Sequence, residues 1–164
     1  MPGSSRSRRD DVESVATSIL TASRALIGVA IRSIDSVEDE VTVVQYRALV
    51  LLVSRGEQNV SDLADALGIH ASTATRLCDR LVAKGFMDRV PSADSRRETT
   101  LSATNRARSI VRTVSTRRRR EVTRLVEQLS AEERRKLRNA FEIFAEAAAE
   151  AAFPEDAWKL GWTD

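Results

Sequence analysis

Between residues 71 and 97 the chain carries side chains suited to one kind of chemistry, hydrogen bonding to phosphates and base edges. Ser72, Thr73 and Thr75 supply hydroxyls, Arg76 and Arg80 supply guanidinium groups one helical turn apart, and Asp94, Arg96 and Arg97 follow in a short polar stretch. Hydroxyls at the start of a helix can bond phosphate oxygens or base edges, and an arginine one turn further on reaches guanine O6 and N7 in a major groove. Asp94, two residues before Arg96, can hold that side chain by a charge-assisted hydrogen bond. Taken alone, the same residues also suit a solvated amphipathic helix and a surface ion pair of small energetic consequence. The elements that carry them decide between the two.

Those elements are mainly helical. Three prolines and six glycines fall near the edges of long periodic stretches. From Val12 to Ile34 apolar residues recur at steps of three and four, the pattern of an amphipathic helix. A second helix, apolar nearly all round and therefore central, runs from about Thr42 to Arg55 and stops at Gly56. Ser61 or Asn59 caps a short helix that ends at the bend of Gly68, and the next helix runs from about Ala71 to Lys84-Gly85. A short helix, a glycine turn and a second helix form the helix-turn-helix pattern. At about 100° per residue, Ala71, Ala74, Leu77, Cys78 and Leu81 share one side of the second helix. Ser72, Thr75, Arg76 and Asp79 take the other, with Thr73 and Arg80 at its flanks. One face packs and one is free to read DNA.

After Gly85 the period changes. Residues 86–90 and 98–102 are β-prone, and the turn-rich link from Pro91 to Arg96 joins them into an antiparallel hairpin. A hairpin directly after such a helix is a wing, and Arg96-Arg97 at its turn would enter an adjacent minor groove. Residues 103–128 and 131–152 read as two more long helices, with Ser130 and Glu133 as a capping box between them.

Charge supports this reading without deciding it. The net charge is +2, but residues 71–120 hold 13 of the 26 basic side chains against four acidic ones, a balance of +9 that leaves −7 over the remainder. That is the footprint of a phosphate-binding surface on an acidic scaffold. Because 23 of the 26 are arginine, an arginine-rich composition with solvated faces is the alternative.

Composition also excludes. The 164 residues are enough for one ordinary soluble domain. One cysteine, Cys78, and one histidine, His70, allow no internal disulfide and no zinc site. No acid, base and nucleophile converge, so neither an enzyme nor a cofactor is expected. The longest apolar run, Ala48 to Val53, is far short of the ~20 residues of a membrane span. The basic N-terminus leads into Asp10-Asp11 and not into a secretory core, so the expected location is cytoplasmic.

The run Leu63-Ala64-Asp65-Ala66-Leu67-Gly68-Ile69-His70-Ala71-Ser72-Thr73-Ala74-Thr75-Arg76-Leu77-Cys78-Asp79-Arg80-Leu81-Val82-Ala83-Lys84-Gly85-Phe86, then Arg89, Asp94-Ser95-Arg96-Arg97 and Leu101-Ser102, resembles the MarR family of bacterial transcription regulators. The resemblance follows element order over about residues 12–150, is specific over 61–102, and has the Asp-x-Arg wing signature as its most diagnostic part. Ser102 and Asn105 stand where the family often has Thr and Gly, mild changes since Asn also tolerates a left-handed backbone. The resemblance implies a mostly α fold, a winged helix-turn-helix on a helical dimerisation region built from the N- and C-terminal helices. It also implies a homodimeric repressor on a double-stranded, pseudo-palindromic operator, with a pocket lined by apolar residues for a small aromatic or apolar effector. The expected organisation is a flexible basic N-terminus (1–11), an N-terminal dimerisation helix (12–40) and a DNA-binding lobe (41–102, helix-turn-helix 61–84, wing 86–102). C-terminal dimerisation helices (103–152) and a tail (153–164) with Trp158 and Trp162 packed on the dimer follow. A constitutive or architectural DNA-binding protein and a helical protein-interaction module are the rival readings.

Three other features invite function. Some MarR-like proteins switch by oxidising a cysteine near the N-terminal helix, where this chain has none, and Cys78 falls on the apolar side of its own helix, a structural position. His70 reads as a cap or loop residue. Arg117 to Arg120 point in four directions around a helix and so are expected to be solvated or paired between helices.

Overall fold

A computed structural model describes residues 3–37, 39–91 and 99–150. The order is α1 (Gly3–Asp35), α2 (Val43–Arg55), α3 (Val60–Leu67), α4 (Ala71–Ala83), β1 (Met87–Pro91), β2 (Thr99–Ala103), α5 (Asn105–Glu127) and α6 (Ala131–Glu150). The fold is mostly helical with one small antiparallel sheet, as expected.

The core belongs to the middle of the chain. α2 is apolar on nearly every side because it is central: Leu49, Leu52 and their neighbours pack with Leu63, Leu81, Phe86, Met87, Leu101 and Val114 from five surrounding elements. Local signals set the ends. Thr42 and Gln45 form a capping box at the start of α2, and Asn59, not Ser61, accepts from the Asp62 N–H to cap α3. Gly68 then takes the left-handed backbone, φ 67° and ψ 38°, that turns the chain from α3 into α4. Asn105 lies in the first turn of α5, with Thr104 as its cap, so a left-handed backbone is not what the position requires.

The hairpin pairs Met87 with Ala103 through to Pro91 with Thr99. A third strand-like contact comes from outside it: Gln58, between α2 and α3, exchanges backbone hydrogen bonds with Leu101 at 3.1 and 2.8 Å. This staples the middle of β2 to the link that leads into α3.

The long terminal helices are the less buried part. Among the described side chains of α1, only those of its last third, around Val29, Ser33 and Ile34, are buried, packed toward α5. Every described side chain of α6 is exposed or half-buried. Two expectations are corrected here. α1 begins at Gly3 and not Val12, so the terminus expected to be flexible is helical from residue 3; propagating an existing helix through Ser and Arg is far cheaper than nucleating one. The membrane exclusion rested on uninterrupted apolar runs, yet Arg9–Asp35 is long and apolar enough to cross a bilayer by length and composition, because its apolar residues alternate with small polar ones.

Candidate nucleic-acid interface

α3 and α4 meet through Leu63, Ala64 and Leu67 on one side and Ala74, Leu77, Cys78 and Leu81 on the other, all buried. The opposite face of α4 carries Ser72, Thr73, Thr75, Arg76, Asp79 and Arg80, all exposed. Ala71 was expected on the packed side but is exposed, because the first residue of the helix lies beyond the reach of α3. Cys78 is fully buried, and burial pushes its thiol above the ordinary range, which disfavours the reactive thiolate.

His70 occupies the N-cap of α4, but its imidazole makes no capping bond; its carbonyl accepts from the N–H groups of Thr73 and Ala74 at 2.9 and 3.0 Å. α2, α3 and α5 all start with a side-chain cap. α4 therefore presents its first amides, with the positive end of its dipole, beside the hydroxyls of Ser72 and Thr73. The Thr75 hydroxyl is turned inward and donates to the Ala71 carbonyl at 2.9 Å, while Ser72 and Thr73 make no side-chain hydrogen bond among the described residues.

The basic side chains of this region divide by what they touch. Lys84 donates to the Glu40 carbonyl at 2.7 Å and Arg106 to the Glu40 carboxylate at 2.9 Å. Arg89, on β1, pairs with Asp79 of α4. The guanidinium groups of Arg76 and Arg80 have no partner among the described residues. The Asp79–Arg89 pair escaped the sequence reading, though a lone acid on a face of hydroxyls and arginines was a signal for it. The pair neutralises the one negative charge on that face and ties α4 to the hairpin. Toward the turn side of the paired strands, the Thr100 hydroxyl donates to Glu57 at 3.1 Å. Asp94, Arg96 and Arg97 lie between β1 and β2, outside the described residues, as does the segment with Trp158 and Trp162.

The four-arginine run of α5 is solvated as expected at Arg117, Arg119 and Arg120 and departs from the expectation in the burial of Arg118. Arg119 and Arg120 are exposed, and Arg117 lies 3.6 Å from Glu121, itself 3.0 Å from Arg32 of α1. Arg118 is buried: its Nε donates to the Ser33 hydroxyl at 3.3 Å beside Tyr46, and burial lowers its pKa. It points inward because α1 and α2 both pack against that face of α5, which no local pattern announces. A cleft of about 870 Å³ opens at Val53, Arg108, Val111, Arg112, Arg118 and Arg134, with a lining of mixed valines and arginines.

Residues 41–99 match the model of the MarR family. The HTH-type transcriptional regulator YfiV of Bacillus subtilis (strain 168) is 33% identical over 107 residues, which cover 65% of this chain and 67% of that protein. Among solved structures, RV1404 from Mycobacterium tuberculosis superposes with a TM-score of 0.75 at 40% identity over 83% of this chain and 93% of that one. A mutant of MepR from S. aureus, bound to an oligodeoxyribonucleotide, has the same fold, with a TM-score of 0.65 at 19% identity over 82% and 97%.

Proposed function

The chain belongs to the MarR family of DNA-binding transcription regulators, and from that premise we propose that it works as a homodimeric repressor on a pseudo-palindromic operator. The observation that carries this reading is the exposed face of α4, where Arg76, Arg80, Ser72 and Thr73 are uncommitted while neighbouring cations are held by Glu40 and Asp79. In a major groove Ser72, Thr73 and the first amides of α4 would hold phosphates, and Arg76 and Arg80 would read guanines. Thr75 would contribute its methyl and the acceptor side of its oxygen. Arg96 and Arg97 of the wing would enter the neighbouring minor groove, with Asp94 steadying Arg96.

The dimer is supported by apolar surface. Val12, Val15, Leu20, Ile27 and Ile31 on α1, and Leu137, Phe141 and Phe144 at helical spacing on α6, are exposed in the single chain. A patch of that kind is characteristic of an interface. A second copy covering α1 and α6 makes this apolar surface a dimer base, the reading we prefer to a membrane span, and a cytoplasmic location with the chromosome follows. Two α4 helices about one turn of DNA apart, roughly 34–36 Å, would then address two half-sites. Bound there, the dimer would repress by occluding the promoter. A small aromatic or apolar effector that binds the dimer better when its lobes are wrongly spaced would release it.

The experiment is selection of bound fragments from genomic DNA with the purified protein. A short two-fold symmetric motif is expected; salt-sensitive binding without a motif would overturn the proposal. Aromatic acids and apolar compounds are then added to the complex, and persistence of the complex in all of them would favour a constitutive regulator.

A further inference from the structure

Arg106, in the first turn of α5, is a cation of the basic segment that the DNA face does not use. Its guanidinium turns back toward the end of α4. Nη1 donates to the Lys84 carbonyl at 2.8 Å, Nη2 donates to Glu40 Oε2 at 2.9 Å, and the guanidinium carbon lies 4.4 Å from the centroid of the Phe86 ring. Lys84 is the C-cap of α4, so the carbonyl that Arg106 binds stands at the negative end of that helix. Around it the contacts close on themselves. Lys84 Nζ donates to the Glu40 carbonyl at 2.7 Å, the Thr104 hydroxyl donates to the Gly85 carbonyl at 2.9 Å, and the Thr104 N–H donates to the Phe86 carbonyl at 3.1 Å.

We propose that Arg106 is a positioning residue for DNA recognition, fixing the angle of α4 and of the hairpin relative to α5. This rests on the reading of α4 as the recognition helix of a two-fold dimer. The argument is one of connection. Residues 84–86 are the three through which the chain passes from α4 to β1, and all three are held by the first turn of α5 and the cap before it. From there α5 runs on to pack against α1, toward the proposed dimer base. Any rotation of the reading elements against that base must break this junction. Only arginine serves, because a planar fork can donate in two directions while its face rests on the ring, which a lysine ammonium cannot do. The Arg106–Glu40 pair is about half exposed, 56% and 42%, and so acts on geometry more than on stability.

The consequence follows from two-site binding. Once one half-site is occupied, the second binds at an effective concentration set by how narrowly the two helices are held. Loosening the junction lowers that concentration and leaves a single half-site contact untouched.

The test uses the symmetric duplex recovered by selection, the same duplex with one base pair inserted at its centre, and a duplex with one half-site scrambled, against the full-length protein. Arg106→Ala is expected to weaken the symmetric duplex by about tenfold, shrink the penalty for the insertion, and leave both the scrambled duplex and the slope of log affinity against log salt unchanged. Arg106→Lys should restore only part of the loss. Glu40→Ala supplies a sign test that survives if the arginine variant fails to fold. Removing an acid strengthens DNA binding if only charge matters, whereas positioning predicts a loss of about threefold on the symmetric duplex. Equal losses on symmetric and scrambled duplexes with a shallower salt slope would make Arg106 a phosphate contact and overturn the proposal, as would tighter binding by Glu40→Ala. A wild-type protein that prefers no two-site duplex would remove the DNA reading itself, before any variant is compared.

Discussion

Arg76 and Arg80 are set apart from the neighbouring cations Lys84, Arg89 and Arg106 by what they lack, a carboxylate or carbonyl among the described residues to hold them. A guanidinium already paired must lose that partner before it can meet a base; an unpaired one does not. Arg76→Ala is therefore expected to cost about 1–3 kcal/mol on the operator and to relax discrimination at one position in each half-site, measured by titration on operator and single-base variants. Unchanged affinity on every duplex would exclude Arg76 from readout. Cys78 makes the opposite case. Its side chain is buried against α3 and its thiol is pushed upward by burial. Cys78→Ala should lower stability by about 1–2 kcal/mol in denaturant unfolding and leave DNA binding insensitive to peroxide, as in the parent protein. Peroxide-dependent release that vanishes in the variant would reinstate the sensor.

At the scale of elements, α4 and the hairpin are joined by Asp79 and Arg89. The acid stands on the surface proposed to approach phosphates, where its charge would be tolerable only while the arginine answers it. Arg89→Ala should weaken operator binding several-fold, and Asp79→Asn added to it should recover most of the loss, a coupling of about 0.5–1 kcal/mol in a double-mutant cycle. Additive losses would mean that Arg89 meets DNA directly. A second element-level prediction concerns the start of α6. The Ser130 hydroxyl donates to Glu133 at 2.7 Å, and with the Ser130 N–H it holds that carboxyl below its ordinary pKa. A depressed acid stabilises the folded state above its unfolded pKa, and that contribution disappears as pH falls through the lower folded value. The first turn of α6 should therefore fray in acid, followed by amide exchange, and Ser130→Ala should move the Glu133 titration, read by carbon NMR, back up. An unmoved titration would contradict the capping box.

The whole molecule is incomplete as one chain. α1 and α6 expose Leu20, Ile27, Ile31, Phe141 and Phe144, while the compact core lies in the lobe between them. Apolar area of that extent costs about 25 cal/mol per Å² to keep in water, and a second copy related by a two-fold axis buries the same patch twice. Sedimentation should give a dimer near 36 kDa, twice the 18.1 kDa chain, and Phe141→Asp should shift it toward monomer while lowering operator affinity. A folded wild-type monomer that binds the operator alone would sink the dimer.

What the sequence determined by itself is what local rules govern. The 3.6-residue period separated Ala74, Leu77, Cys78 and Leu81 from Ser72, Thr73, Arg76 and Arg80; the αL backbone of Gly68 marked the turn; and Ser130 with Glu133 marked a helix start. Each depends on residues within a few positions of one another, and each was legible. The tertiary structure decided whatever depends on residues far apart in the chain. Gln58 reaches Leu101, Ser33 meets Arg118, and Glu40 gathers Lys84 and Arg106. Four adjacent arginines look alike in sequence, yet Arg118 alone among them is buried, because two helices distant in sequence close over it. The basic segment likewise reads as one field of charge until folding assigns its cations different partners. Formal charge is a property of composition, but availability for DNA depends on which acids and carbonyls the fold brings within hydrogen-bonding distance.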